Sequence, residues 1–312
     1  MAGAPEYQMI HCYVFPKKTL PCSDIDTRNM DACIPYPDAR LQSNEEVNFL
    51  ALPAEIRIQI LEHVFNDNIL NDGFKDRNIN GGIILDDNYT IRQYFQPLMT
   101  CKQIYHDGIL LATNRTHFVT NSLFIANNIP ERLSILHPKQ IQAIRSFTFV
   151  ADARHFRRLQ DWGNSPFGVS QLRLDTLTIV LHRSSFWHYL FDFTSSLVHL
   201  LRGLQNVRRL VFVHNQARVK GSFKTWYNRL VGLILKTDHY NRYMNIPACL
   251  ENVWWEWSFD DVAQSFCLEA KSARPWVGEQ EYMLQIQPLM MALKESIETE
   301  EWNPDPRAHN GA

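Results

Sequence analysis

Leu174-Asp175-Thr176-Leu177-Thr178-Ile179-Val180-Leu181 is followed, 33 residues after its start, by Val207-Arg208-Arg209-Leu210-Val211-Phe212-Val213. Both stretches are short and rich in β-branched and aromatic residues, which suit a pleated, half-buried surface, so both read as strands. Between them Phe186, Leu190, Phe193, Leu197, Leu201 and Leu204 recur at steps of 4, 3, 4, 4 and 3, a helical period. Strand, helix, strand predicts parallel strands joined by a right-handed crossover. The pattern extends in both directions. Ile144–Val150 reads as a preceding strand and Leu250–Trp257 as a fourth, with a helix through Phe223, Trp226, Leu230, Leu233 and Ile234. The strand starts are 30, 33 and 43 residues apart, too irregular for a consensus repeat. The expectation is an α+β / α/β chain whose body is an irregular, leucine-rich-repeat-like solenoid or small α/β layer with a mainly parallel sheet.

Before the body, Phe49–Phe65 carries a sharp helix signal. Pro53 suits the first helical position, where its missing N–H costs nothing, and Glu55 in the first turn complements the helix dipole. Ile56, Ile60 and Val64 fall on one face, widened by Leu61. A second helix is read from Pro97 to Ala112, with Leu98, Cys101, Tyr105 and Ile109 on one face, then a short strand over Thr116–Val119. Residues 66–96 between these helices read as a polar insertion. Asn71-Asp72-Gly73 and Asn80-Gly81-Gly82 are turn chemistry, and Ile83-Ile84-Leu85 suits one strand of a hairpin. Near the end, Tyr282, Ile286, Leu289, Leu293 and Ile297 stripe a helix over about 279–299. The predicted organisation is an irregular, proline-broken arm (1–45), a helical module (46–124), an α/β repeat-like body with a C-terminal helix (125–302) and a loose tail (303–312).

The 312 residues carry 31 Lys+Arg against 33 Asp+Glu, which argues against a strongly basic nucleic-acid binder. The near-balance hides an asymmetry: 12 basic against 16 acidic residues over 1–140, 15 against 5 over 141–243, and 4 against 12 over 244–312. Runs of this kind mark either a partner surface or segments that neutralise one another in the fold. No secretory signal and no membrane-length apolar window is read, so the cytoplasm or nucleus is the expected location. The six cysteines form no CxxC pair; Cys12, Cys22 and Cys33 match no zinc spacing, and free thiols are expected, with a disulfide within the N-terminal arm as the alternative.

Leu52-Pro53, Glu55-Ile56, Ile60 and Val64, followed by Leu98-Met99-Thr100-Cys101-Lys102-Gln103-Ile104-Tyr105-His106, resemble the two halves of an F-box. With Asn114 and Phe118 beyond, the arrangement is most similar to the fungal F-box-like proteins. The resemblance covers roughly residues 49–124. It implies helix-in-groove docking on the adaptor subunit of an SCF-type ubiquitin ligase, with Leu52, Pro53, Ile56, Ile60, Val64, Leu98, Cys101 and Tyr105 as the adaptor-binding set. The chain departs from a compact F-box in the roughly thirty residues between the halves and in Ile104-Tyr105, where a Trp is common.

Enzymatic constellations are thin. Gly163-Asn164-Ser165-Pro166-Phe167-Gly168 is not a nucleophile elbow, because two residues separate Ser165 from Gly168. No glycine-rich phosphate loop and no paired His–carboxylate spacing is present, so no catalytic residue, metal site or cofactor is expected. Asp260-Asp261 reads as the cap of a helix starting at Val262. Trp254, Trp255 and Trp257 are either core or an aromatic recognition surface, with Trp255 and Trp257 facing one way and Trp254 and Glu256 the other. Arg157, Arg158, Arg208, Arg209 and Lys220, with Trp255 and Trp257, are the candidate contacts for an unidentified protein target, acidic or phosphorylated; nucleic acid ranks below it. The expected function is that of a non-enzymatic interaction protein, a substrate-recognition subunit of an SCF-type ligase. The alternatives are a stand-alone binding or scaffold protein and, remotely, an enzyme of unknown chemistry.

Overall fold

The computed structural model describes residues 48–66, 72–76, 82–184, 186–187, 193–219 and 222–302. The arm expected over 1–45, with Cys12, Cys22 and Cys33, and also Lys220 and the tail 303–312, lie outside the described residues. In chain order the chain forms helix α1 (Ala54–Asn66), a hairpin of β1 (Phe74–Asp76) and β2 (Ile83–Leu85), and helix α2 (Lys102–Arg115). Strands β3 (His117–Thr120), β4 (Ser146–Ala151), β5 (Leu174–Leu181) and β6 (Phe186–Trp187) come next. Helix α3 (Thr194–Gly203), strands β7 (Val207–Val213) and β8 (Arg218–Val219), and helix α4 (Phe223–His239) follow. Strands β9 (Val253–Asp260) and β10 (Ser265–Ser272) and helix α5 (Glu279–Trp302) complete it. Short helices fill the connections, notably Leu123–Asn127, Ile129–Ser134 and Pro138–Ala143 between β3 and β4.

The main sheet has six strands in the order β3-β4-β5-β7-β10-β9. The first four are parallel and lie side by side in chain order, as strand–helix–strand alternation requires. The last two are antiparallel: β10 pairs with β7, and β9 pairs with β10 at the edge. The strand read at 250–257 is therefore not a fourth parallel repeat. It runs over 253–260 and turns back through β10, whose Ser-Phe-Cys-Leu-Glu-Ala-Lys-Ser shows too little β-branched character to announce itself. Asp260 caps this turn, not a helix: its Oδ1 accepts the N–H groups of Val262 at 2.9 Å and Ala263 at 2.8 Å. The helix read through 186–204 is likewise shorter, α3 beginning only at Thr194 after the two residues of β6.

The sheet has two unlike faces. One carries Phe147, Phe149, Leu177, Ile179, Leu210, Phe212, Phe266 and Leu268, all buried, beneath Leu197 and Leu201 of α3 and Trp226 and Leu230 of α4. The Phe212 and Phe266 rings stack at 4.7 Å, and Trp226 meets Phe212 edge-on at 5.5 Å. On the other face Val150, Val180 and Val213 pack under Leu85, with Ile83 and Phe74 alongside. The β1–β2 hairpin within the segment 66–96 is thus a lid over the carboxyl ends of the parallel strands. Gly82 and Ile83 donate backbone N–H bonds to the carbonyls of Val262 and Ala263 at 2.6 and 2.9 Å. Buried Asn215, at φ 50°, accepts from the Leu85 N–H and donates to the Leu181 carbonyl, both at 3.0 Å. Asn tolerates that left-handed backbone and its amide can do both jobs.

Below the lid the same face turns polar. His117 Nε2 lies 2.7 Å from the Thr148 hydroxyl, and burial lowers its pKa from 6.5 to about 4 despite a weaker upward pull from Asp72. The folded chain holds His117 neutral where the unfolded chain would charge it. Its contribution is complete above pH 6.5 and disappears as the pH falls toward 4. The difference in pKa is worth about 3 kcal/mol at 1.36 kcal/mol per unit. Urea denaturation across pH 4–7 should show that loss in the native chain and not in His117→Gln; parallel curves for the two would count against it.

Candidate functional site

The N-terminal helix pair is built around one close crossing. Asn48 Oδ1 accepts the Leu50 N–H at 3.0 Å and starts a short 3-10 turn over Phe49–Ala51. Leu52 is extended at φ −68°, ψ 149°, the conformation that a following proline favours. The carbonyl of Pro53 then accepts the N–H groups of Ile56 and Arg57 at 3.1 Å each, opening α1. Arg57 fixes this entry. Its guanidinium donates to the Leu52 carbonyl at 2.5 Å and to Asp107 Oδ2 of α2 at 2.7 Å. The Arg57 hydrogen bond outweighs desolvation and holds Asp107 below the usual carboxylate range.

The helices meet at Gly108. A Cβ there would lie 2.8 Å from Leu98 Cδ2, 3.1 Å from Leu61 Cδ1 and 3.3 Å from Phe65 Cε2. The absent side chain is what lets α1 approach. Leu61, Phe65, Phe95, Leu98 and Ala112 form the small core between the helices. Phe118 of β3 packs against this core and against the main one, joining the module to the body.

The apolar residues of α1 thereby divide. Leu61 and Phe65 are buried, while Ile56, Ile60 and Val64 are 41%, 38% and 45% exposed, on a separate arc of the same helix. Leu52 is half-buried and Pro53 exposed at its start. Of the second half of the adaptor-binding set, Leu98 is buried between the helices, which takes it out of reach of a partner. Cys101 and Tyr105 are half-buried; Cys101 caps α2, its Sγ accepting the Ile104 N–H at 3.5 Å. Met99 and Leu110, not singled out in the sequence, are exposed on the same module.

The candidate target contacts do not converge. Arg157 and Arg158 lie exposed on the short helix Ala153–Arg158, whereas Arg208 and Arg209 are exposed on β7, with Arg209 donating to the Thr176 hydroxyl at 2.8 Å. Trp255 is core: it is buried and its Nε1 donates to the Leu201 carbonyl at 2.8 Å, so it is unavailable as a recognition residue. Trp257 is half-buried on the same face, and Trp254 on the opposite face lies under the Arg274 guanidinium at 3.9 Å. Part of the basic segment is neutralised by its flanks, through Arg183–Asp87, Lys224–Asp261 and Arg242–Glu251.

Groups that could do chemistry are few among the described residues. No set of three or more His, Cys, Asp or Glu is placed to hold a metal ion. Asp152 and His155 form a 2.7 Å pair, but they serve as a capping box for the helix at 153–158. His155 Nε2 is buried without a hydrogen-bond partner among the described residues, so none of these supplies a nucleophile within its reach. An open groove of about 510 Å³ between α4 and α5 is lined by apolar residues such as Leu235, Met283, Ile286, Met290 and Leu293. No helix among the described residues is long and apolar enough to cross a membrane. No protein-family model, curated protein or solved structure matches the chain.

Proposed function

We propose that the chain is a non-enzymatic, F-box-like interaction protein: the helix pair docks on the adaptor subunit of an SCF-type ubiquitin ligase, and the α/β body presents a target. The observation that carries this reading is the open stripe Ile56, Ile60, Val64, with Ile58 also exposed, on a helix that buries only Leu61 and Phe65 against the protein. Exposed apolar residues at i, i+4 and i+8 are the anchors of helix-in-groove recognition. The rigid entry through Leu52, Pro53 and Arg57 holds the stripe in one orientation before any partner arrives, which lowers the ordering cost of binding. The consecutive parallel strands of the body fit the leucine-rich-repeat-like half of the reading. A stand-alone scaffold is the second reading, favoured by Phe118, which ties the helices to the body as a cap.

Titration of the purified chain with purified ligase adaptor separates the two. The native chain should bind, and Ile56→Glu/Ile60→Glu should weaken binding about a hundredfold, since two buried charges without partners each cost about 1.5 kcal/mol or more. Both positions are exposed, so the melting temperature should stay within a few degrees of native. Failure of the native chain to bind where an authentic F-box binds would leave only the scaffold reading.

A further inference from the structure

The two edges of the main sheet are unequally protected. The β3 edge is four residues long, and its Phe118 is packed against the helix pair. The β9 edge is eight residues long. It pairs with β10 in one uninterrupted register, from Val253↔Ser272 to Asp260↔Ser265, with no bulge. It contains no proline, and no backbone hydrogen bond from another described segment reaches 253–260 on the outer side. Short length, bulges, prolines and covering segments are the usual devices that keep an edge from pairing. Among the described residues this edge has none of these four, and its Val-Trp-Trp-Glu-Trp-Ser-Phe-Asp has high strand propensity.

The geometry points to β9 as a docking edge for strand addition by an extended segment of a partner protein, with basic and apolar residues in alternation. Main-chain hydrogen bonds would supply affinity and alternate side chains the specificity. On one face of β9 the side chains reaching solvent are Glu256, Ser258 and Asp260; Lys271 of β10 lies 3.5 Å from Glu256 and 3.2 Å from Glu269, so one cation faces three carboxylates and the face stays acidic. A strand laid alongside sets its own residues about 5 Å from these, where opposite charges are favourable. On the other face Trp257 and Phe259 are half-buried and leave apolar flanks uncovered. A second copy of the chain is a poorer occupant. Two-fold pairing centred on Ser258 would set Glu256 against Asp260, and pairing centred on Glu256 would set that carboxylate against itself; only a register such as that centred on Trp257 escapes the clash, whereas a basic partner strand meets it in none. This surface is distinct from the α1 stripe and stands whether or not the ligase reading does.

The test uses the full chain and a synthetic eight-residue peptide of alternating Lys and Val. Amide hydrogen exchange should slow within 253–260 when the peptide is added. The same peptide N-methylated at alternate residues, which keeps the side chains and loses the donors, should bind at least tenfold more weakly. Glu256→Lys/Ser258→Lys should weaken the Lys/Val peptide about tenfold and improve a Glu/Val peptide. Both changes are on exposed side chains, and an unchanged melting temperature confirms the fold. Equal binding of the N-methylated peptide, protection confined to other segments, or no protection at millimolar peptide would each overturn the proposal. So would concentration-dependent protection of 253–260 without peptide, which would assign the edge to a second copy.

Discussion

Arg242→Met lowers the stability of the folded chain by about 3–5 kcal/mol at pH 7. Its side chain is fully buried, and so, within a few per cent, are Asp238 and Glu251. The guanidinium donates to both Asp238 oxygens at 3.0 and 3.1 Å, to Glu251 Oε1, and to the carbonyls of Pro275 and Arg274 at 3.1 and 3.3 Å. Tyr282 of α5 donates to Asp238 at 2.6 Å, and the Arg274 N–H to Glu251 at 3.1 Å. One cation thus gathers the end of α4, the approach to β9, the segment before α5 and α5 itself. Without it two carboxylates share a dry site with only the more distant Arg202, 3.5 Å from Asp238, to offset them, and each disfavours the charge of the other.

The pH dependence gives the signature. In the native chain burial opposes the charge on Asp238, but hydrogen bonds with Glu251, Tyr282 and Arg242 outweigh it and keep its pKa below the usual value. Burial and the neighbouring Asp238 push Glu251 up. Removing the guanidinium raises both folded-state values above those of the unfolded chain. A raised acid contributes stability below its unfolded pKa and loses it as pH rises. The deficit of Arg242→Met should therefore be smaller at pH 4 than at pH 7. Urea denaturation at the two values measures it, and a pH-independent cost below about 1 kcal/mol would refute the account. Replacing Asp238 and Glu251 by Leu together with Arg242→Met should recover most of the loss, since an apolar cluster avoids desolvating the ions.

Phe65→Ala costs about 3–5 kcal/mol, whereas Ile60→Ala on the same helix costs less than about 1 kcal/mol. Phe65 is fully buried against α2 at Gly108, so truncation opens a void where two backbones already approach closely. Ile60 is 38% exposed and leaves no cavity. Helix α1 holds to the body through this small core and the Arg57–Asp107 bridge, so part of the cost should appear as local opening. Hydrogen exchange of residues 54–66 in Phe65→Ala should accelerate well before that of β5 or β7. Similar costs at the two positions would mean that the stripe, not the Leu61–Phe65 side, faces the protein interior.

The parallel strands were legible because each is a local run of β-branched and aromatic residues: β4, β5 and β7 lie within two residues of where composition places them. Helices α1 and α5 were legible from period and end signals, Pro53 above all. β10 was not, because Cys, Glu, Ala and Lys dilute its strand signal and only its two neighbours stabilise it. Of the hairpin, the strand Ile83-Ile84-Leu85 was legible, but its partner Phe74–Asp76 was not, because Lys75 and Asp76 carry no strand signal and turn residues surround it; the packing of Leu85 on Val150, Val180 and Val213 depends on residues far away in sequence. Trp255 was ambiguous for a similar reason: a tryptophan in a strand is core or contact surface according to what lies opposite, here the Leu201 carbonyl.

The sequence by itself determined where chain segments become strands and helices, because propensity, period and capping act over a few residues. It also determined that the basic run sits in the middle of the chain. Only the tertiary structure decided which side of α1 is buried. Ile56, Ile58, Ile60, Leu61, Val64 and Phe65 spread over about 200° of that helix, so its period marks a face too broad to say which part is buried. The choice falls to Leu61 and Phe65 because Gly108, with no side chain, offers them the one surface close enough to pack against.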